Sequence, residues 1–156
     1  MATSTDPKIG SGILVRTLRK GYGSKPCNGD LVLVHYEGFL LRDSENMDHQ
    51  IPETRGSSGT DSSNSNSMIH PTPFCSSYTS QTPLKVIVGE GFVMKGWQEV
   101  LPHLQLDQLV EVTIPHLFAY GEQGYPPIVP SKANLLFRME IIHIERKKRR
   151  KWFGIW

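Results

Sequence analysis

Cysteine is scarce in this sequence: Cys27 and Cys75 are the only two, and neither stands in a CxxC or Cys/His cluster. That excludes a disulfide framework or a zinc site as the organising device, and the pair reads as two separate thiols. The six histidines are scattered, and His103, His116 and His143 share no HExxH-like spacing, so no metal and no other cofactor is expected. No apolar run approaches the ~18 residues of a membrane span. The opening "MATSTDPKIG" has no basic segment followed by an apolar one, so no secretory signal is read and the cytoplasm or nucleus is the expected location. A catalytic dyad is missing too: Ser76 and Ser77 have no adjacent base in a recognisable pattern, and the acidic residues are dispersed.

The formal charge of +2 hides an asymmetry, because "RKKRRK" from Arg146 to Lys151 supplies six positive charges, and without them the chain has 11 basic against 15 acidic residues. A mildly acidic body with a sharply basic segment suggests a folded domain plus a separate docking or address element. With 156 residues one domain is expected, monomeric, over 11–145. A flexible N-terminus over 1–10 precedes it and a basic, aromatic tail over 146–156 follows. From about 43 to 72 the chain turns to Ser, Asn, Gly, Thr, Asp and Pro, with "GSSGTDSSNSNS" at its centre, too few core-forming residues to offset the entropy of ordering. This is read as a disordered insertion in one surface loop.

Elsewhere hydrophobic periodicity carries the signal. "ILVRTL" and "DLVLVHYEGFLL" read as strands, the second with Val32, Val34 and Tyr36 on one face. "PLKVIVGEG" resumes strand character. In "KGWQEVLPHL", Trp97, Val100, Leu101 and Leu104 fall at i, i+3, i+4, i+7, a short amphipathic helix that Pro102 should shorten or end. "QLVEVTI" sets Leu109, Glu111 and Thr113 against Val110, Val112 and Ile114. "NLLFRMEIIHI" sets Leu135, Phe137, Met139 and Ile141 on one face, and both are strands. The sum is an α+β domain, an antiparallel sheet with one short helix. "AYGEQGYPPIVP", Ala119 to Pro130, is a shaped loop: its glycines allow positive φ, its prolines fix φ, and it holds two tyrosines still.

The order of "VLVHYEG", "PFCSS", "VIVGEGFVMKGWQEVL", "VEVTIPHLFAYGEQGYPPIVP" and "LLFRMEIIHIE" resembles the FKBP family of peptidyl-prolyl cis/trans isomerases, from about Gly21 to Glu145 with the insertion excluded. The resemblance implies a five- to six-stranded antiparallel sheet wrapped around one short helix, with an apolar pocket between them. Tyr36, Phe74, Trp97, Tyr120 and Phe137 are implied as its catalytic residues. Val93, Met94, Tyr125, Ile128 and Cys75 are implied to bind substrate, with Leu84 where the family usually carries phenylalanine. On spacing alone, Trp97, Val93 and Phe137 are equally plain core, and Tyr120 and Tyr125 equally loop packing. The Tyr120 hydroxyl and the Ile128 backbone N–H are implied to donate to the ligand's carbonyls.

The sequence departs from the family pattern Phe-Asp-Ser-Ser at Cys75, which replaces the acid, and at Ser80, which stands where many members have a basic residue. A thiol is a weak acceptor. Macrolides such as tacrolimus or rapamycin should therefore bind weakly, and peptide turnover should be reduced but present. Asp43 in the insertion is a candidate substitute for the acid.

Proline-containing peptides and client proteins are the implied partners. A non-catalytic proline-peptide binding module is the competing reading, and a protein that binds nucleic acid through its tail is a third. For "RKKRRKWFGIW" itself three readings stand: an import receptor or nucleic acid meeting the cations, an anionic membrane surface meeting cations and aromatics together, or a solvated charge run.

Overall fold

The computed structural model describes residues 9, 12–41 and 72–148. The expected disordered insertion, apart from Thr72, lies outside them, as do Asp43, nearly all of the expected flexible N-terminus and the last eight residues of the tail.

Six strands form one antiparallel sheet: β1 Leu14–Arg19, β2 Leu31–Leu40, β3 Cys75–Ser76, β4 Leu84–Ile87, β5 Leu109–Ile114 and β6 Leu135–Glu145. The order is β1-β5-β6-β2-β3, with β4 also pairing to β2. β2 and β6 are the long central strands, and the period-2 pattern read from their sequence is the pattern of burial. Val32, Val34, Val110, Val112, Ile114, Leu135, Met139 and Ile141 are all 0% exposed on one face. That face is covered by α2, Lys95–Val100. Trp97 and Val100 turn toward the sheet, followed by Leu101 and Leu104, each 3% exposed or less. Burying each such side chain contributes roughly 1.5–3 kcal/mol. Pro102 lacks the N–H that would continue the α-helical ladder, and the chain tightens there into the 3-10 turn Leu101–His103.

One feature departs from expectation and another has no local signal. A second helix, α1, spans only Ser77–Ser80, capped where the Ser76 hydroxyl accepts from the Tyr78 N–H at 3.2 Å. Four residues of "SYTS" carry no periodicity to read. Glu111 does point away from Val110 and Val112, yet it is only 6% exposed. Arg16 on β1 donates to its carboxylate and Arg138 on β6 lies 4.0 Å away, so its two neighbouring strands cover it.

Candidate functional site

Four rings meet where the core face of β2 and β6 faces α2. Tyr36 stands edge-on to Trp97 with centroids 5.0 Å apart, Trp97 edge-on to Phe137 at 5.3 Å, and Phe137 edge-on to Phe74 at 5.9 Å. Edge-to-face contact sets the positive rim of one ring against the negative face of the next and locks their orientation. Phe137 and Trp97 are buried, whereas Tyr36 and Phe74 are only partly so. The Trp97 Nε1–H is buried without a partner, the only such side-chain polar atom among the described residues. An unpaired buried donor of that kind marks a site to be explained.

Gly38 makes the cluster possible. A Cβ added there would lie 2.7 Å from the Cys75 Sγ, 2.7 Å from a Phe137 ring carbon and 2.9 Å from a Phe74 ring carbon. Glycine inside a strand signals such a close approach, and this one was legible but unread in "HYEGFLL".

Cys75, on the short strand β3 beside Gly38, is half-buried, and desolvation pushes its thiol up to about 11. Burial likewise raises Tyr36 and Tyr120. Cys75 raises both further, and Tyr36 and Tyr125 add to the effect on Tyr120, which places these four groups in one neighbourhood. Among the described residues no carboxylate or cation contributes to any of the three shifts. Ser80, in the position of the family's basic residue, donates to the Ser77 carbonyl at 3.1 Å and closes α1.

Tyr120 and Tyr125 pair at 5.7 Å on the loop between β5 and β6. Gly124 is required there: its φ is +68°, and a Cβ would sit 2.3 Å from the Pro130 carbonyl. The loop contradicts one expectation. The Ile128 N–H donates to the Tyr125 carbonyl at 3.0 Å, inside a turn that also carries the Val129 N–H. A donor consumed by a tight turn is not free for a ligand. The Met94 N–H, at the N-cap of α2, has no acceptor among the described residues.

Val93 and Met94 pack partly buried against the core, and Gln98 donates to the Val93 carbonyl at 2.6 Å, fixing the segment before α2. No sequence signal marked Gln98. Leu84 lies opposite Val34 and shares the core face, 38% exposed; Ile128 is 48% exposed, and neither takes part in the ring contacts.

The expectation that Ser77 has no adjacent base is also corrected: His35 Nδ1 lies 2.9 Å from its Oγ. The contact is architectural. Ser77 is 2% exposed, and its Oγ accepts from the Tyr36 N–H at 2.8 Å and donates to the Tyr36 carbonyl at 3.3 Å, clamping the backbone of a cluster ring. Buried and held by three partners, the hydroxyl is closed to a substrate, which disqualifies it as a nucleophile.

An antiparallel sheet half-closed on one helix, holding a neutral aromatic cluster beneath a tyrosine-bearing loop, defines an FKBP-like domain. The family model described as FKBP-type peptidyl-prolyl cis-trans isomerase matches residues 64–142. FK506-binding protein 1B of Aspergillus fumigatus is 31% identical over 135 residues, 86% of this chain and 95% of that one. FK506-binding protein 1 of Eremothecium gossypii is 28% identical over 137 residues, 87% of this chain and 96% of that one. The crystal structure of FkpA from Escherichia coli superposes with a TM-score of 0.61 at 24% identity over 86% of this chain, which spans about half (49%) of the FkpA chain and shares its fold. The chain belongs to the FKBP-type peptidyl-prolyl cis-trans isomerase family.

Proposed function

We propose that this protein accelerates rotation about Xaa-Pro bonds in peptides and folding client proteins, with Tyr36, Phe74, Trp97, Tyr120 and Phe137 around the proline ring. Leu84, Val93, Met94, Tyr125, Ile128 and Cys75 line the rim. The observation that carries this reading is the interlocked, uncharged cluster of Tyr36, Trp97, Phe137 and Phe74. Rotation requires the amide to give up its resonance, across ~18–20 kcal/mol, and unaided exchange takes roughly tens to hundreds of seconds. The twisted amide has less charge separation than the planar one. A dry, neutral wall therefore holds the twisted form more tightly than the ground state, which is the differential binding that accelerates a reaction. No bond is broken, so neither nucleophile nor metal is needed.

The Tyr120 hydroxyl and the Met94 N–H are the donors available to substrate carbonyls, and an apolar residue is preferred before the proline. Macrolides bind weakly here: a neutral thiol in place of a carboxylate forgoes a charged hydrogen bond worth roughly 1.5–3 kcal/mol, or about 10- to 100-fold in affinity.

The test is the cis-to-trans rate of a short Leu-Pro peptide with the natural protein, Tyr120→Phe and Cys75→Asp. Acceleration by the natural protein, a loss in Tyr120→Phe and a gain in Cys75→Asp are the expected results. Peptide binding without acceleration, with turnover appearing only in Cys75→Asp, would make this a binding module on an isomerase scaffold.

A further inference from the structure

On the edge away from β6, β2 takes two partners in succession. β4 pairs with Leu31 to Val34 and β3 with Glu37 and Gly38, so among the described residues no strand flanks His35 and Tyr36 on that edge. The gap falls where α1 carries the chain from β3 to β4. The Tyr36 N–H and carbonyl, which both face the gap, meet one side chain, the Ser77 hydroxyl, at 2.8 Å and 3.3 Å. A single residue thus completes the ladder in place of a strand. α1 is pinned so as to deliver it: Tyr78 stacks on His35 at 4.7 Å and donates to Glu140 at 2.8 Å.

We propose that Ser77 is a positioning residue for isomerisation, holding the Tyr36 backbone so that its ring stands edge-on to Trp97. The inference rests on the isomerase reading above. The Tyr36 ring also meets Phe137 at 6.4 Å, so a shift of its backbone is passed to both buried rings. Slack is small nearby, since two residues on, at Gly38, even a methyl would collide with Cys75, Phe137 and Phe74. A misplacement of about 1 Å at a reacting site can cost roughly 100-fold in rate.

β2 has another polar anchor, remote from the rings. Asp30, 4% exposed, accepts from the Arg146 guanidinium at 2.7 Å, the Lys147 N–H at 2.9 Å and the Cys27 N–H at 2.8 Å. It stands six residues ahead of Tyr36, about 20 Å at ~3.3 Å per residue. Asp30 therefore shows what anchoring the strand does without holding a ring.

The experiment measures kcat and KM on a Leu-Pro peptide for the natural protein, Ser77→Ala, Ser77→Thr and Asp30→Asn, each per folded molecule from urea unfolding. Beside these, NMR of the full chain follows exchange of the Tyr36 amide and the contact between the Tyr36 and Trp97 rings. Ser77→Ala should lower kcat about 10- to 100-fold with KM within about twofold, because the displaced ring fails the twisted amide while the rim still binds. Its Tyr36 amide should exchange faster and the ring contact should weaken. Ser77→Thr, which keeps the hydroxyl, should restore both, and Asp30→Asn should lose stability yet keep the natural kcat. If Ser77→Ala does not fold, Ser77→Cys, close in size but a weaker partner, should show the same fall in kcat. A natural kcat in the folded Ser77 variants, or an equal loss in Asp30→Asn, would overturn the proposal and leave Ser77 an anchor of the sheet alone. A natural protein that leaves the peptide unaccelerated would sink the isomerase reading separately. The ring contact, kept or lost in Ser77→Ala, would then still decide whether Ser77 positions Tyr36.

Discussion

The two faces of the central strands carry opposite chemistry on the same backbone. On the core face, β2, β5 and β6 present Val34, Tyr36, Val112, Phe137 and Met139, with no charge among them. On the outer face, strand register lines up Arg16, Glu111, Arg138 and Glu37 in one row of alternating sign. Beside that row Glu140 takes Arg19 at 2.5 Å and the Tyr78 hydroxyl at 2.8 Å, and Tyr78 stacks on His35 at 4.7 Å. Arg138 also lies over the Phe39 ring at 5.1 Å. A strand's period of two lets adjacent residues serve separate ends: charges are satisfied by cross-strand partners on one face, and apolar and aromatic side chains fill the other.

The contrast is broken most severely by Trp97→Ala. It removes the ring that touches both Tyr36 and Phe137 and should cost about 3–5 kcal/mol in urea unfolding, with turnover lost in whatever remains folded. Next is Gly38→Ala, which forces a methyl against Cys75, Phe137 and Phe74. About 1–3 kcal/mol of stability and most of the isomerase rate should go together, because the collision falls within the cluster.

Glu111→Ala tests the other face. Losing the partner of Arg16 and Arg138 should cost about 1–2 kcal/mol while the rate per folded molecule stays at its natural value. A fall in that rate would show that the outer face supports catalysis after all.

The smallest effect is on pH dependence. With Cys75 pushed up to about 11 and both tyrosines raised, turnover should be flat from about pH 5 to 9, and Cys75→Asp should add an acid limb as its carboxyl protonates. The sign for stability follows from the same shift. The folded state holds the Cys75 proton more tightly than the unfolded chain does, so stability is untouched below pH 9.0 and falls as pH rises toward about 11.

Wherever periodicity was long enough, the sequence was a sufficient guide. β2, β5, β6 and α2 were all legible from alternation or i, i+3, i+4 spacing, as was the shortening of α2 ahead of Pro102. What escaped depends on groups that meet only in three dimensions. The burial of Glu111 has no local signal, because nothing in its own strand says that an arginine on each neighbouring strand will cover it. The Ile128 donor was carried over from the family pattern, but the hydrogen bonds of its own turn consume it. Ser77, Gln98 and Asp30 are single polar residues whose partners lie 41, 5 and 116 positions away. Only the nearest of those spacings was within reach of a sequence window.

One junction has a use in engineering. The Phe74 N–H donates to the Gly38 carbonyl at 2.8 Å and the Leu41 N–H to the Asn134 carbonyl at 3.0 Å, so the chain is stapled to the sheet on either side of positions 42–71. Those two staples make a socket. Loop-closure cost grows only by about 0.6 kcal/mol for each doubling of length, so the segment between them can be shortened, extended or exchanged for a foreign epitope or recognition peptide. The graft would leave the hydrogen bonds of Phe74 and Leu41 in place.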